Sequence, residues 1–337
     1  MKKSILILAF LAGSITLVFA WGAWGHQHIN RAAVFGLPEE MRPFFYNHID
    51  FITEESVVPD LRKYTINDRA EFPRHYINLE VYNEKGEMAG LPATMKEARA
   101  LYPDSVLNKA GVLPWTILEV TDKLTKAFRE KKKTEILFLA GDLGHYIGDA
   151  HMPLHTALNH DGQLTGQRGI HALWEGQLPE TFGEGYDLYT GGAKYVTDLT
   201  AETRAMIDSS HRLAGQVLSI DKELTASLPR EKVYVLDSAG RIVVNQYGDA
   251  VHASEYLTAY HRRLEGMIEQ QLRGAIAETS AFWYTAWVNA GRPDLSDLDP
   301  RELTVRNRKD LDGDLRRWRR GKVGMVKPSG EFGKWVK

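Results

Sequence analysis

Five of the twelve histidines in this chain of 337 residues, His145, His151, His155, His160 and His171, fall between positions 145 and 171, where an even spread would put about one. His145 and Asp149 stand four apart in a segment with a helical apolar period, so they share one helix face and can reach one ion together. His171 and Glu175 repeat that spacing, and His155, just past the helix-ending Pro153, can point back at the first pair. Two such pairs and a further imidazole exceed what one tetrahedral zinc takes, and suit two ions sharing a carboxylate. A lone His-x-x-x-Asp pair is also the spacing of a surface salt bridge, but burying the whole set without a cation is costly. His151 points off the His145 face and reads as structural. His28, His48, His160, His211, His252 and His261 have no ligand spacing.

Composition narrows the chemistry. The absence of cysteine removes thiolate nucleophiles, iron–sulfur clusters and zinc fingers, leaving His, Asp and Glu as metal ligands. With 42 basic against 44 acidic residues there is no global pull toward polyanions, so phosphate chemistry needs a local site.

The pattern around the cluster is mainly helical. After Pro114, the stretch Thr116 to Lys131 puts Ile117, Val120, Leu124 and Phe128 on one face, and Thr134 to His151 forms a second helix stopped by Pro153. Longer helical patterns run from about Ala193 to Leu218 and from Ala250 to Asn289. The one β signal, Lys232 to Gln246, predicts a small hairpin turning at Asp237-Ser238-Ala239-Gly240. The expectation is an all-α fold, a single mainly helical domain over residues 21–299 with a β-hairpin insertion.

The two ends differ from this body. Residues 1–20 carry Lys2 and Lys3 before an apolar run from Ile5 to Phe19 and end Val18-Phe19-Ala20, the pattern of an export signal cleaved before Trp21. A retained anchor is the alternative, and the run is short of the ~20 residues that span a bilayer. The expected location is therefore periplasmic or secreted. Residues 300–337 read as a basic tail: Arg316 to Lys337 holds eight basic residues against the single acid Glu331. A solvated tail and a surface contact with membrane, polysaccharide or nucleic acid both fit. Asp310, Asp312 and Asp314 lack the spacing and final Glu of a calcium loop.

Taken in order, the motifs resemble the zinc-dependent phospholipase C and S1/P1 nuclease superfamily. Trp21-Gly-Ala-Trp-Gly-His26 resembles the nuclease start, His145-x-x-x-Asp149-x-His151-x-Pro153-Leu154-His155 the central motif, and His171-x-x-Trp174-Glu175 the last ligand pair. Asp60 and His75 stand where the superfamily has its remaining Asp and His. The resemblance implies the superfamily's all-α fold and three zinc ions. Asp60, His75, His145 and Asp149 would hold the most buried ion, and His155, His171 and Glu175 a second. The Trp21 amine and carbonyl with His26 and the shared Asp149 would hold a third, so signal cleavage also creates a ligand. A hydroxide held between ions would attack phosphorus, with Asp60 and Asp149 as ligands or general base.

The substrate is divided between two halves of the superfamily. Glu175 as last ligand resembles the bacterial phospholipases, since the nucleases carry Asp there, and the lack of cysteine also departs from the nucleases. The Trp21 to His26 spacing resembles the nucleases, as does Tyr76 in a stretch where they stack a base, although Asn78 replaces the Asp that bonds it. The expectation is an exported zinc phosphodiesterase of phospholipase C-like activity, acting on phospholipid. An S1/P1-type nuclease acting on single-stranded nucleic acid is the alternative, and a non-catalytic exported zinc-binding protein the alternative of another class. No obligate protein partner is evident in the sequence.

Overall fold

The computed structural model describes residues 22–244, 248 and 250–324. The helices that position the site are, in chain order, α1 (Gly22–Gly36), α2 (Ile49–Glu55), α3 (Val58–Tyr64), α4 (Leu113–Arg129), α5 (Lys133–Ala150), α6 (Leu199–Ser227), α7 (Ser254–Arg263), α8 (Met267–Asn289) and α9 (Arg301–Trp318). The fold is all-α, as the sequence predicts.

Helices α4 and α5 form the central pair. Pro114 opens α4 where a missing N–H costs nothing, and Ile117, Val120, Leu124 and Phe128 are all buried in one core. A tight turn with Lys131 at positive φ returns the chain into α5. That helix ends at Ala150, and Pro153 begins a 3₁₀ turn, Pro153–Thr156, that carries His155. Helix α1 packs closely on α5: Asn30 donates from Nδ2 to Ile52 O (3.2 Å) and Gly141 O (3.0 Å), and a methyl at Gly144 would collide with Asn30 Oδ1. Glycine at 144 therefore lets two ligand-bearing helices touch. Helix α8 closes the bundle, with Trp283 Nε1 bonded to Ala140 O and Ser280 Oγ to Ala33 O.

Three expectations change. The pattern from Ala250 to Asn289 is two helices, because Glu265 and Gly266 adopt positive φ between α7 and α8. The helix expected from Ala193 begins at Leu199, where Asp198 caps it by accepting from Ala201 N at 2.9 Å, and it runs past Leu218 to Ser227. The hairpin turn at Asp237 is present, but its flanks form isolated antiparallel bridges, Leu236 to Ile242, Val244 to Ala250 and Tyr234 to His252. Three short segments thus share the pairing that two strands were expected to make. Residues 245 and 246 lie outside the described residues.

Helix α9 extends the packed body beyond Asp299, with Leu315 and Trp318 buried in the core and Arg316, Arg317, Arg319 and Arg320 exposed around them. The rest of the basic segment, from residue 325, and the signal segment 1–20 lie outside the described residues. Among the described residues no helix is long and apolar enough to cross a membrane.

Candidate metal centre

The folding of α1, α3 and α5 around Gly144 brings His26, Asp60, His145 and Asp149 together in the interior, each fully buried. His75 joins them from a 3₁₀ turn, Phe72–His75. His155 comes from the turn after α5, and His171 and Glu175 from a helical stretch that widens into a π turn at Leu173–Gln177. Such a widened turn re-aims side chains locally and recurs at functional sites.

Three groups of donors result: His26 with His145 and Asp149, Asp60 with His75 and His145, and His155 with His171 and Glu175. Asp149 links them. Its Oδ2 lies 3.0 Å from His75 Nδ1 and 3.2 Å from His145 Nε2, while Oδ1 lies 3.6 Å from His26 Nε2 and 3.3 Å from His155 Nδ1. In the third group, His171 Nε2 is 3.2 Å from Glu175 Oε2 and 3.1 Å from His155 Nε2. These eight expected ligands are brought together; Trp21, the ninth, lies outside the described residues.

The donor set fits divalent metal. Zinc bonds of ~2.0–2.1 Å in a tetrahedron hold donor atoms about 3.3 Å apart, which is the spacing seen here. Neither ring nitrogen of fully buried His26 has a hydrogen-bond partner. His145, His155 and His171 each place Nδ1 against a backbone carbonyl, of Ser56 (2.7 Å), His75 (2.7 Å) and His160 (2.9 Å), which leaves Nε2 with its lone pair.

The charges agree with that reading. Burial pushes the Asp149 carboxyl up, but His145 and His155 outweigh it and hold it well below the usual range. Asp60 is lowered in the same way, its burial outweighed by Lys63, His145 and His75. Glu175 is lowered to about 2 because His171 and His155 overcome its burial, and His171 is raised to about 9 because Glu175 overcomes its own. Burial and the neighbouring His145 push His26 down. The carboxylates are therefore ionised at neutral pH, balanced in the metal-free protein by Lys63 and the neighbouring imidazoles, whose protons a metal ion would displace.

A cleft of about 630 Å³ opens beside His75, His155, His171 and Glu175. Tyr76 lines it half-buried, its hydroxyl donating to Asn108 O at 3.2 Å. Asn78 donates from Nδ2 to Lys109 O at 3.2 Å, and its Oδ1 is buried with no partner. Tyr64 and Phe72 also line the cleft, ring edge to ring face.

Two residues escaped the sequence reading. Lys63, one helical turn after Asp60, reaches into the cleft with Nζ 3.0 Å from Asp60 Oδ1. Glu71, four before His75, sits 3.4 Å from His75 Nε2 and repeats the spacing that singled out the other pairs. Asp142, three residues before His145 on α5, accepts from Arg62 at 2.8 Å. His151 faces Glu278 at 3.3 Å, away from the cluster as expected.

No curated protein matches the chain. The model of the family described as S1/P1 Nuclease matches residues 21–275, which contain all the donor side chains and the residues that line the cleft. That match covers most of the sequence, and the chain belongs to the S1/P1 nuclease family of phosphodiester hydrolases.

Proposed function

We propose that this protein hydrolyses phosphodiester bonds in single-stranded nucleic acid, with zinc held by the three donor groups. The observation that carries the reading is the cleft wall. Three aromatic rings, Tyr64, Phe72 and Tyr76, offer faces for bases in a cleft that Asn78 also lines. This departs from the phospholipid preference read in the sequence.

Zinc bound there supplies Lewis acidity, polarising water and phosphate oxygens near neutral pH. The residues of the chain do the rest. Asp149 ties the groups together through its two oxygens, and Asp60 and Asp149 act as metal ligands first and as candidate general bases second. Lys63 keeps a positive charge in the cleft wall, available to a phosphate oxygen, and its ion pair with Asp60 fixes its direction. Export with cleavage before Trp21 belongs to the same proposal, since the released amine adds a nitrogen ligand near His26. Glu175 supports phospholipid as the second reading, because it resembles the last ligand of the phospholipases.

The test compares the zinc-loaded mature protein on single-stranded DNA, RNA, phosphatidylcholine and a bis-aryl phosphodiester. DNA or RNA turnover is expected, and Tyr76→Ala should weaken nucleic-acid binding by ~1–3 kcal/mol while sparing the aryl ester. Turnover of phosphatidylcholine with none of either nucleic acid would replace this reading with the second.

A further inference from the structure

His75 is turned the opposite way from its neighbours. In His145, His155 and His171 a carbonyl faces Nδ1, and a carbonyl can only accept, so Nδ1 carries the proton and Nε2 is the free donor. His75 instead directs Nδ1 at the interior, 3.0 Å from both Asp149 Oδ2 and His145 Nε2 and 3.5 Å from Asp60 Oδ1. Its Nε2 is buried with no other polar partner and faces Glu71 Oε1, 3.4 Å away, a separation that zinc at Nδ1 would have to close into a hydrogen bond.

Glu71 is fixed from every side. Its Oε1 accepts from the Tyr146 hydroxyl, and its Oε2 accepts from Arg62 Nε at 3.2 Å and Arg74 Nη1 at 3.1 Å. Arg62 is held in turn by Asp142, and the Arg74 guanidinium lies 4.8 Å over the Tyr146 ring. Only 2% of Glu71 is exposed, so its carboxylate is taken out of water while the two arginines reach it from the partly exposed rim. Such networks cost desolvation and add little stability over apolar packing, which makes orientation of a partner the better account of this one.

We propose that Glu71 is a positioning residue: locked by Arg62, Arg74 and Tyr146, it accepts the Nε2 proton of His75 and thereby presents Nδ1 as the metal-binding nitrogen. The inference rests on the donor groups holding zinc. It differs from a purely structural role in fixing which ring nitrogen carries the proton.

Ring-nitrogen NMR of the zinc-loaded full chain reads that directly. In the parent protein His75 should be protonated at Nε2 and ligated through Nδ1, opposite to His145, His155 and His171. Glu71→Gln removes the charge and turns an amide toward the two guanidinium groups. It should release one zinc at a chelator concentration 10–100-fold lower than the parent needs, with the remaining zinc retained. Tyr146→Phe, which leaves the carboxylate in place, should keep the His75 tautomer. Ligation of His75 through Nε2 in the parent overturns the proposal even if Glu71→Gln does not fold. Parental zinc affinity with an unchanged His75 tautomer in Glu71→Gln overturns it too. A parent that takes up no zinc fails the metal reading first and removes the ground for this one.

Discussion

Glu55 is 4% exposed, its side chain pressed against Gly141 and within the influence of the Asp142 and Arg62 charges. Burial pushes its carboxyl up, the charge of Asp142 adds to that, Arg62 opposes both, and the result is about 8. An unfolded Glu titrates near ~4.3. Between those values the folded state binds more protons than the unfolded one, so this residue's contribution to stability falls as pH rises through the window and is flat above it. Glu55→Gln cannot ionise. In metal-free protein its advantage over the parent should grow from pH 5 to pH 8, by an amount on the order of a few kcal/mol. Urea unfolding at both pH values measures it, and an equal difference at both would show that Glu55 titrates normally. Residues of this kind are hard to find in a sequence. His145, Asp149, His171 and Glu175 were legible because both partners of each pair sit one helical turn apart. Glu55 and Lys63 take their character from burial and from side chains brought in by folding.

Elements were legible where a period and a breaker coincide. Pro114 and Pro153 bracket α4 and α5, and both helices appear within a few residues of their expected ends. The interruption at Glu265 and Gly266 was not, because one glycine inside a long helical pattern carries no mark of whether it stays helical. Helix α9 was missed since its buried stripe is narrow, Leu311, Leu315 and Trp318 among charges, and such a stretch reads equally as a solvated tail. The loop before α4 matters more for function. Gly111 has φ +86°, and a methyl there would collide with the Tyr76 carbonyl. The two segments are stitched by Asn78 N to Ala110 O (2.6 Å), Val112 N to Pro73 O (2.6 Å) and Leu113 N to Tyr76 O (3.2 Å). Gly111→Ala should therefore displace Tyr76 as well as strain the turn, at ~1–3 kcal/mol of stability. Nucleic-acid KM should rise while zinc content stays constant. An unchanged KM would mean that Tyr76 is not part of the binding wall.

At the scale of the whole molecule, chemistry and clasp come from different parts of the chain. All the donor residues precede Gly176, whereas the segment that follows α8, beyond the family match that ends at residue 275, packs back against residues 35–48 and 133. Asp299 accepts from His48 and Lys133, each at 2.7 Å, and Asp314 accepts from the Tyr46 hydroxyl at 2.8 Å. Trp318 inserts between Phe35 and Tyr189, with ring centroids 6.2 and 4.7 Å away. Phe35 belongs to the last turn of α1, the helix that carries His26 near its other end, so the clasp holds one end of a ligand-bearing helix. Removing a buried indole leaves a cavity that neighbours fill only in part, and Trp318→Ala should cost ~3–5 kcal/mol. The donor groups, however, are tied to one another through Asp149, Asn30 and the glycine contact at 144, all remote in sequence from the clasp. The variant should accordingly melt earlier yet bind the parent's complement of zinc and turn over substrate at the parent's rate per folded molecule. Urea unfolding gives the first quantity, and metal analysis with turnover on the folded fraction gives the others. Loss of zinc from a still-folded Trp318→Ala protein would show that α9 sets the position of α1, making the clasp part of the site.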